Sequence, residues 1–236
     1  MKIEVLFSEV CNLYGDLANV RYLKACCPQL TIVETDLHTK PRFLSEDIGL
    51  VFMGSTTEQG LKLVTEALMP WREEIAAKID AGQRFLAVGN AVDMLTEGIR
   101  SDSGLAITGL GLVPGQAKYR MMQRHNSFFL GTFEDMEIVG FKSLFGHIQG
   151  AGDAEAWFRA VRGVGRDGAT AAEGFRRGGL MATSLIGPLL ILNPPLTKWL
   201  LRRLGLDDTL AFEDAAMDSY RKRVAEFHEE SRGWKY

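Results

Sequence analysis

The strongest constraint on the fold is the alternation of short apolar runs with segments of helical spacing in the first half of the chain. The apolar or β-rich runs cover residues 3–7, 30–34, 48–53 and 85–88, and the helical segments cover residues 17–25 and 61–77. Short apolar runs separated by helices are typical of parallel strands that are buried on both faces. The sequence therefore predicts an α/β fold with a parallel sheet, and its 236 residues fit one domain over residues 1–236.

The middle of the chain has a different pattern. Four glycines between residues 104 and 115 indicate short strands and turns, and residues 128–133 and 136–141 are candidate strands of a hairpin. Residues 146–154 begin with glycine and contain two more, so we predict a loop there. We interpret this region as an insertion in the sheet or an edge of it.

The chain is predicted to end in helices from about residue 198. Asp207 and Asp208 are candidate N-cap residues for the last helix, which we expect to begin near Thr209. Apolar residues from Phe212 to Phe227 then recur at helical spacing, as expected of a helix with one buried face.

Residues 84–95 predict a buried strand, a tight turn and the start of a helix. This is the frame of a nucleophile elbow, in which a strained turn lifts one reactive side chain above a sheet. The residue at the apex is Gly89, which has no side chain. The segment therefore predicts the architecture of a hydrolase site without its nucleophile.

Several polar residues follow the predicted strands. Ligands of open α/β sheets bind outside the carboxyl ends of the strands, so these residues should meet in one crevice. The predicted ligand pocket consists of Asn12, Tyr14, Asp16, Ser55, Asn90 and Asp93. Structural roles are the alternatives, with Asp16 as a helix cap, Asp93 as a carboxylate at a helix N-terminus and Asn90 as a turn residue.

Three segments carry a resemblance to a known family. Residues 12–19 (NLYGDLAN) resemble an N-L-Y-G-D-x-x-N segment, residues 138–141 match the start of I-V-G-F-E-N-H, and residues 183–194 (TSLIGPLLILNP) resemble T-Y-L-H-G-P-L-L-x-x-N-P. The three patterns belong to class I glutamine amidotransferases of the cobyric acid synthase type. This chain resembles most strongly the glutaminase subunits of lipid II isoglutaminyl synthases. It implies a three-layer α/β sandwich with a mostly parallel central sheet.

The chain departs from this family where the family carries its chemistry. The family's nucleophilic cysteine, in C-G-G-x-Q, is Gly89 here, and its histidine, in L-H-G-P, is Ile186. A thiolate and a histidine base act together in the attack on a glutamine amide. The glycine-rich loop that would build an oxyanion hole keeps only Gly54, and E-N-H is replaced by residues 142–144 (KSL). The resemblance therefore implies no catalytic residue, with Gly89 and Ile186 as degenerate positions.

Three hypotheses for function follow from this comparison. The first is a catalytically degenerate protein that serves as a binding or regulatory partner of a Mur-ligase-like synthetase in cell-wall precursor amidation, with a small amide or amino acid as the expected ligand. The second is an active amidotransferase subunit or hydrolase that uses Asp93 or Cys11 in the same crevice. An incidental thiol is the alternative for Cys11. The third is a structural interaction module that uses the C-terminal helices.

Composition disfavours other classes of protein. The net charge of −3 argues against nucleic acid, and no apolar run is long enough to predict a membrane span. The cysteines, Cys11, Cys26 and Cys27, are expected to be reduced thiols in a cytoplasmic protein. The histidines lack metal-ligand spacing, so we expect no metal and no cofactor, and we place them in solvated surface positions: His38, His125, His147 and His228.

Overall fold

The computed structural model describes residues 1–229 as a mixed α/β fold with several sheets. The strands in this range are β1 (Lys2–Leu6), β2 (Thr31–Thr35), β3 (Leu50–Met53), β4 (Phe85–Val88), β5 (Gly98–Ser101), β6 (Ala106–Thr108), β7 (Gln116–Tyr119), β8 (His125–Phe133), β9 (Met136–Leu144), β10 (Gly146–Gln149), β11 (Phe158–Arg162), β12 (Ala172–Glu173), β13 (Phe175–Arg177) and β14 (Leu180–Thr183). The helices are α1 (Ala18–Cys26), α2 (Glu58–Leu68), α3 (Arg72–Asp80), α4 (Ala91–Leu95), α5 (Leu189–Leu192), α6 (Pro194–Arg203) and α7 (Glu213–His228), with 3-10 turns at Arg42–Leu44 and Met69–Trp71. The predicted α/β class is confirmed.

The largest sheet has the strand order β13-β14-β4-β3-β1-β2. Strands β14, β4, β3, β1 and β2 pair in parallel, and β13 joins the edge in the antiparallel sense. Helix α1 connects β1 to β2, and α2 and α3 connect β3 to β4, as the apolar runs and helical spacing predict, whereas only a 3-10 turn lies between β2 and β3. The carboxyl ends of β1, β3, β4 and β14 therefore lie along one edge of this sheet.

Strand β4 shows why its sequence is apolar throughout. Phe85 and Ala87 pack into one hydrophobic cluster, which also contains buried residues of α2, α3 and α4. Leu86 and Val88 pack into a second cluster with buried residues of α1, α5 and α6. Successive side chains of a strand point to opposite faces, so the sheet is buried on both faces at this position.

Two four-stranded sheets make up the middle of the chain. One has the order β10-β7-β5-β6, and the other has the order β12-β11-β8-β9 and contains the long β8–β9 hairpin. The prediction of a loop over residues 146–154 is wrong for its first part, because β10 pairs antiparallel with β7. A Cβ on Gly146 would lie 2.5 Å from the Lys118 carbonyl oxygen, so this glycine permits a close strand approach.

The prediction of one helix over residues 61–77 is also wrong. Helix α2 ends at Leu68, the 3-10 turn contains Pro70, and α3 follows at once. Proline lacks the N–H that an uninterrupted helix needs and clashes with the preceding turn. Apolar spacing alone does not predict the break at Pro70.

The C-terminal helices begin at Leu189, earlier than the predicted residue 198. Pro194 and Pro195 occupy the first positions of α6, where a missing N–H costs nothing. The last helix begins at Glu213, later than the predicted Thr209. The carboxylate of Asp207 accepts the Thr209 N–H at 2.8 Å, which forms a turn before the helix.

No helix within residues 1–229 is long and apolar enough to cross a membrane.

Candidate functional site

The bend between β4 and α4 has the geometry of the predicted elbow. Gly89 directly follows β4 and has a φ of +62°, which lies in the left-handed region. An L-residue in that conformation costs roughly 1–2 kcal/mol, which is the strain that a nucleophile elbow carries. The chain therefore keeps the bend and places glycine, the residue least strained by it, at the apex.

Other side chains occupy the space above this apex. A Cβ atom on Gly89 would lie 1.9 Å from Oγ of Ser55 and 3.2 Å from Cγ2 of Ile186. Both neighbours are buried, and Ser55 Oγ has no hydrogen-bond partner among residues 1–229. A nucleophilic side chain at residue 89 would have to displace Ser55, so the space above the bend is filled.

The loop after β3 is held by side chains that accept its backbone donors. The N–H of Ser55 donates to Oδ2 of Asp16 at 2.9 Å, and the N–H of Thr56 donates to Oδ1 of Asn90 at 2.9 Å. Asn90 also donates from Nδ2 to the Thr56 carbonyl oxygen at 2.7 Å. An oxyanion hole needs backbone donors aimed at the reacting atom, and these two donors are already engaged.

The first loop packs tightly against this segment. A Cβ on Gly54 would lie 2.5 Å from the Cys11 carbonyl oxygen and 2.7 Å from Cβ of Asp16, so glycine at this position permits a close backbone approach. Burial raises the pKa of Asp16, although the N–H groups of Ser55 and Tyr14 counteract this shift. Asp16 thus binds two loops together.

Three of the six predicted pocket residues line a crevice of about 150 Å³ beside the bend. They are Tyr14, Asn90 and Asp93. The other residues around it are Leu13, Thr57, Glu58, Tyr119, Arg124, Ser143, Leu144 and Phe145. Asp16 and Ser55 make the contacts described above, and Asn12 accepts the Leu17 N–H through Oδ1 at 3.0 Å, before α1. A crevice of this volume suits only a small ligand.

Asp93 is the most perturbed carboxyl group in the crevice. It is buried, and its Oδ2 accepts the hydroxyl of Tyr119 at 2.5 Å. Burial raises the pKa of Asp93 to about 7; the charge of Glu173 adds to the shift, whereas the Tyr119 hydrogen bond and the charge of Lys142 oppose it. A carboxyl group of this kind is partly protonated at neutral pH and can act as a general acid or base.

A buried ion pair lies next to Asp93. Nζ of Lys142 is 2.5 Å from Oε2 of Glu173, and both side chains are fully buried. Lys142 also donates to the Gly165 carbonyl oxygen at 2.7 Å, and Oε1 of Glu173 accepts from Thr183 and from both the N–H and hydroxyl of Ser184 at 2.8–2.9 Å. Burial favours a raised pKa for Glu173, but the Lys142 ammonium and the hydroxyl donors hold it below its usual range.

Sequence reasoning missed the importance of Tyr119 and Glu173. Ala117 and Tyr119 lie two positions apart on β7 and are both buried, whereas Lys118 between them is exposed. Such alternation of apolar and polar residues predicts that Ala117 and Tyr119 share a buried face. Glu173 lies among small and apolar residues between Ala172 and Gly174, where a solvated charge is unexpected. Neither signal indicates the partner of the side chain.

The remaining nucleophile candidate is inactivated by its surroundings. Cys11 is fully buried, and burial, followed by the negative charges of Glu9 and Asp16, raises the pKa of its thiol to about 12. The reactive thiolate is therefore nearly absent at neutral pH. None of the described residues that line the crevice is a histidine.

Two of the four histidines predicted at solvated surface positions are instead half-buried in strands. His125 begins β8 and His147 lies in β10, and their rings are 5.3 Å apart in an edge-on arrangement. No group of three or more His, Cys, Asp or Glu side chains suited to a metal ion occurs in the described part of the chain.

Solved structures of glutamine amidotransferases share this fold. A glutamine amidotransferase structure covers 86% of this chain and 99% of its own, with a TM-score of 0.57 and 12% identity. The structure of PurLQS from Thermotoga maritima covers 94% of this chain and 98% of its own (TM-score 0.52, 14% identity), and a glutamine amidotransferase from the same organism covers 96% and 92% (TM-score 0.51, 9% identity). The chain therefore has a glutamine amidotransferase-like fold.

The chain is also similar in sequence to one characterised amidotransferase subunit. The chain is 20% identical to the GatD subunit of lipid II isoglutaminyl synthase (glutamine-hydrolyzing) from Staphylococcus aureus (strain N315), over 214 residues that cover 90% of this chain and 87% of that protein. No family model matches the chain. Sequence and fold together support a glutamine amidotransferase-like protein.

Proposed function

We propose that this chain is a catalytically degenerate glutamine amidotransferase-like protein. In this proposal it forms a single domain, a three-layer sandwich of the class I, cobyric acid synthase type. The observation that carries the proposal is the bend at Gly89, where Ser55 and Ile186 fill the position of a nucleophilic side chain. A glutaminase of this class needs a thiolate at that position.

The chemistry around the bend supports the same conclusion. Ile186 cannot accept a proton, and the buried Cys11 thiol has a pKa of about 12. The backbone donors of Ser55 and Thr56 are bound to Asp16 and Asn90. Covalent attack, proton transfer and oxyanion stabilisation therefore each lack their usual group.

We further propose that the protein is a binding or regulatory partner of a Mur-ligase-like synthetase in cell-wall precursor amidation. Similarity to a synthase subunit over 90% of the chain supports this role. The crevice beside Asp93 is the proposed site for a small amide or amino acid. Neutral Asp93 could donate a hydrogen bond to an amide oxygen there.

Glutamate release tests the loss of catalysis. Purified protein is incubated with glutamine, alone and with a Mur-ligase-like synthetase, and glutamate is quantified over time. We expect no release above the no-protein control in either arm. Turnover that remains after removal of contaminating enzymes, and that a point variant of this chain abolishes, contradicts the proposal. Co-elution with the synthetase on size exclusion supports the partner role, and separate elution contradicts it.

A second function is favoured by the burial of Asp93 in the wall of the crevice, which raises the pKa of this carboxyl group to about 7. A carboxyl group that titrates near neutrality in a crevice is suited to general acid–base catalysis. If the protein hydrolyses glutamine or another small amide, Asp93→Asn should abolish turnover, whereas Asp47→Asn, at an exposed carboxylate, should leave it unchanged. Equal turnover in both variants excludes this role for Asp93.

A further inference from the structure

A second cleft, of about 730 Å³, opens beside the crevice on the sheet β10-β7-β5-β6. We call it the basic cleft, after the cationic and imidazole side chains in its wall: Arg100, Lys118, Arg120, Arg124, His125 and His147. One carboxylate, Asp102, lines it as well. Four permanent cations thus share one wall in a chain whose net charge is −3.

The register of the strands places three of these side chains in one row. Arg100 of β5 is the direct partner of Lys118 of β7, and Lys118 is the direct partner of His147 of β10. Directly paired residues of adjacent strands project from the same face of a sheet, and like charges in such positions destabilise it. The pair of cations, Arg100 and Lys118, therefore costs free energy in the absence of an anion.

The four permanent cations of this wall have no carboxylate partner in the part of the chain that the structure describes. Within residues 1–229, none of Arg100, Lys118, Arg120 and Arg124 lies within 4.0 Å of a carboxylate oxygen. Arg120 donates to Oε1 of Gln123 at 3.4 Å, and the Arg124 guanidinium lies 4.3 Å from the centre of the Phe145 ring. These neutral contacts orient the guanidinium groups and leave their charge uncompensated.

His147 lines the cleft as a neutral group. Burial, followed by the charge of Lys142, lowers the pKa of its ring. Its Nδ1 is buried and has no hydrogen-bond partner in the described structure, so it faces away from the open cleft. The positive charge of the wall therefore comes from the lysine and the three arginines.

We propose that the basic cleft binds the phosphate or diphosphate group of a small-molecule ligand. Guanidinium groups present paired N–H donors that match phosphate oxygens, and the cleft has the volume of a small-molecule site. The basic cleft and the crevice share Tyr119, Arg124 and Phe145. A ligand anchored by phosphate in the cleft therefore extends towards Asp93. This site does not depend on the loss of catalysis at Gly89.

Calorimetric titration with inorganic diphosphate tests the proposal on the whole chain. We expect saturable one-to-one binding at physiological salt, weakened about tenfold by Arg100→Gln or Lys118→Gln and about a hundredfold by the double variant, since a charge-assisted hydrogen bond is worth roughly 1.5–3 kcal/mol. The matched control is Arg21→Gln, an exposed cation of α1 outside the cleft, and its affinity should equal that of the wild type.

Two further measurements make the result decisive. Without diphosphate, Arg100→Gln should unfold at the same temperature as the wild type or higher, because it relieves repulsion across β5 and β7. With saturating diphosphate, the wild type should gain more thermal stability than this variant. Absence of saturable binding, equal affinity of the cleft and Arg21→Gln variants, or tighter binding of a single-stranded oligonucleotide than of diphosphate would each overturn the proposal. None of these outcomes changes the result expected in the glutamate-release assay, so the two proposals can fail separately.

Discussion

Replacing Asp93 by asparagine isolates the cost of burying one carboxyl group. The asparagine side chain has nearly the same shape, and its amide oxygen could still accept the hydroxyl of Tyr119, which now donates to Asp93 at 2.5 Å. The substitution therefore removes the titration of residue 93 and keeps its main hydrogen bond. The measured quantity is the difference in the free energy of unfolding between Asp93→Asn and the wild type, as a function of pH.

The sign of the effect follows from the direction of the shift. Burial raises the pKa of Asp93 from 3.8 to about 7, so the folded state resists ionisation that the unfolded state accepts. The resulting cost to stability is absent below about pH 4, grows between the two pKa values and is complete above about pH 7. Its upper limit is roughly 4 kcal/mol, and the part that develops between pH 5 and pH 8 is about 2–3 kcal/mol. The Asp93→Asn variant should not bear this cost, because asparagine does not ionise.

Urea unfolding at pH 5, 6, 7 and 8, followed by tryptophan fluorescence, measures this difference. The advantage of Asp93→Asn over the wild type should increase by about 2–3 kcal/mol from pH 5 to pH 8. His147 and Glu173 are present in both proteins, so their titration largely cancels. Asp47→Asn, at an exposed position, should show a constant difference. A difference for Asp93→Asn that does not change with pH would refute the argument, because it would mean that Asp93 titrates at an ordinary pKa.

Three further predictions test the rest of the site. Gly89→Ala should destabilise the fold by at least about 1–2 kcal/mol in urea unfolding, because of the positive φ alone. This loss of stability should be smaller in a Ser55→Ala background, which removes the atom nearest to the new Cβ. An equal loss in both backgrounds would show that Ser55 does not fill the space. Lys142→Met should cost roughly 3–5 kcal/mol, because it leaves Glu173 charged and unpaired, and Lys142→Met combined with Glu173→Gln should recover part of that loss; an additive double variant would argue against the pair. Cys11 should react with a thiol reagent at pH 8 only as fast as the protein opens, as mass spectrometry of the Cys11 peptide can show, and rapid labelling of the folded protein would contradict its burial.

The local features of the site could be predicted from the sequence because each lies within a few consecutive residues. The apolar run of residues 85–88 coincides with β4, and a helix begins at Ala91, within the segment 84–95 where a strand, a turn and a helix start are predicted. Gly89 lies between them with the positive φ that the turn requires. Local patterns gave wrong predictions where they conflict. Pro70 interrupts apolar helical spacing with a 3-10 turn, and Gly146 begins a strand where the glycines of residues 146–154 predict a loop.

The sequence by itself determined the α/β class and the strand, glycine turn and helix of residues 84–95, since periodicity and residue identity are properties of neighbouring positions. Only the tertiary structure decided what occupies the site. Ser55 meets Gly89 across 34 positions, and Lys142 meets Glu173 across 31. The row of Arg100, Lys118 and His147 depends on a strand register that no local pattern specifies. Contacts of this kind are selected by packing and by charge burial in the whole fold, because residues distant in sequence share the same small volume.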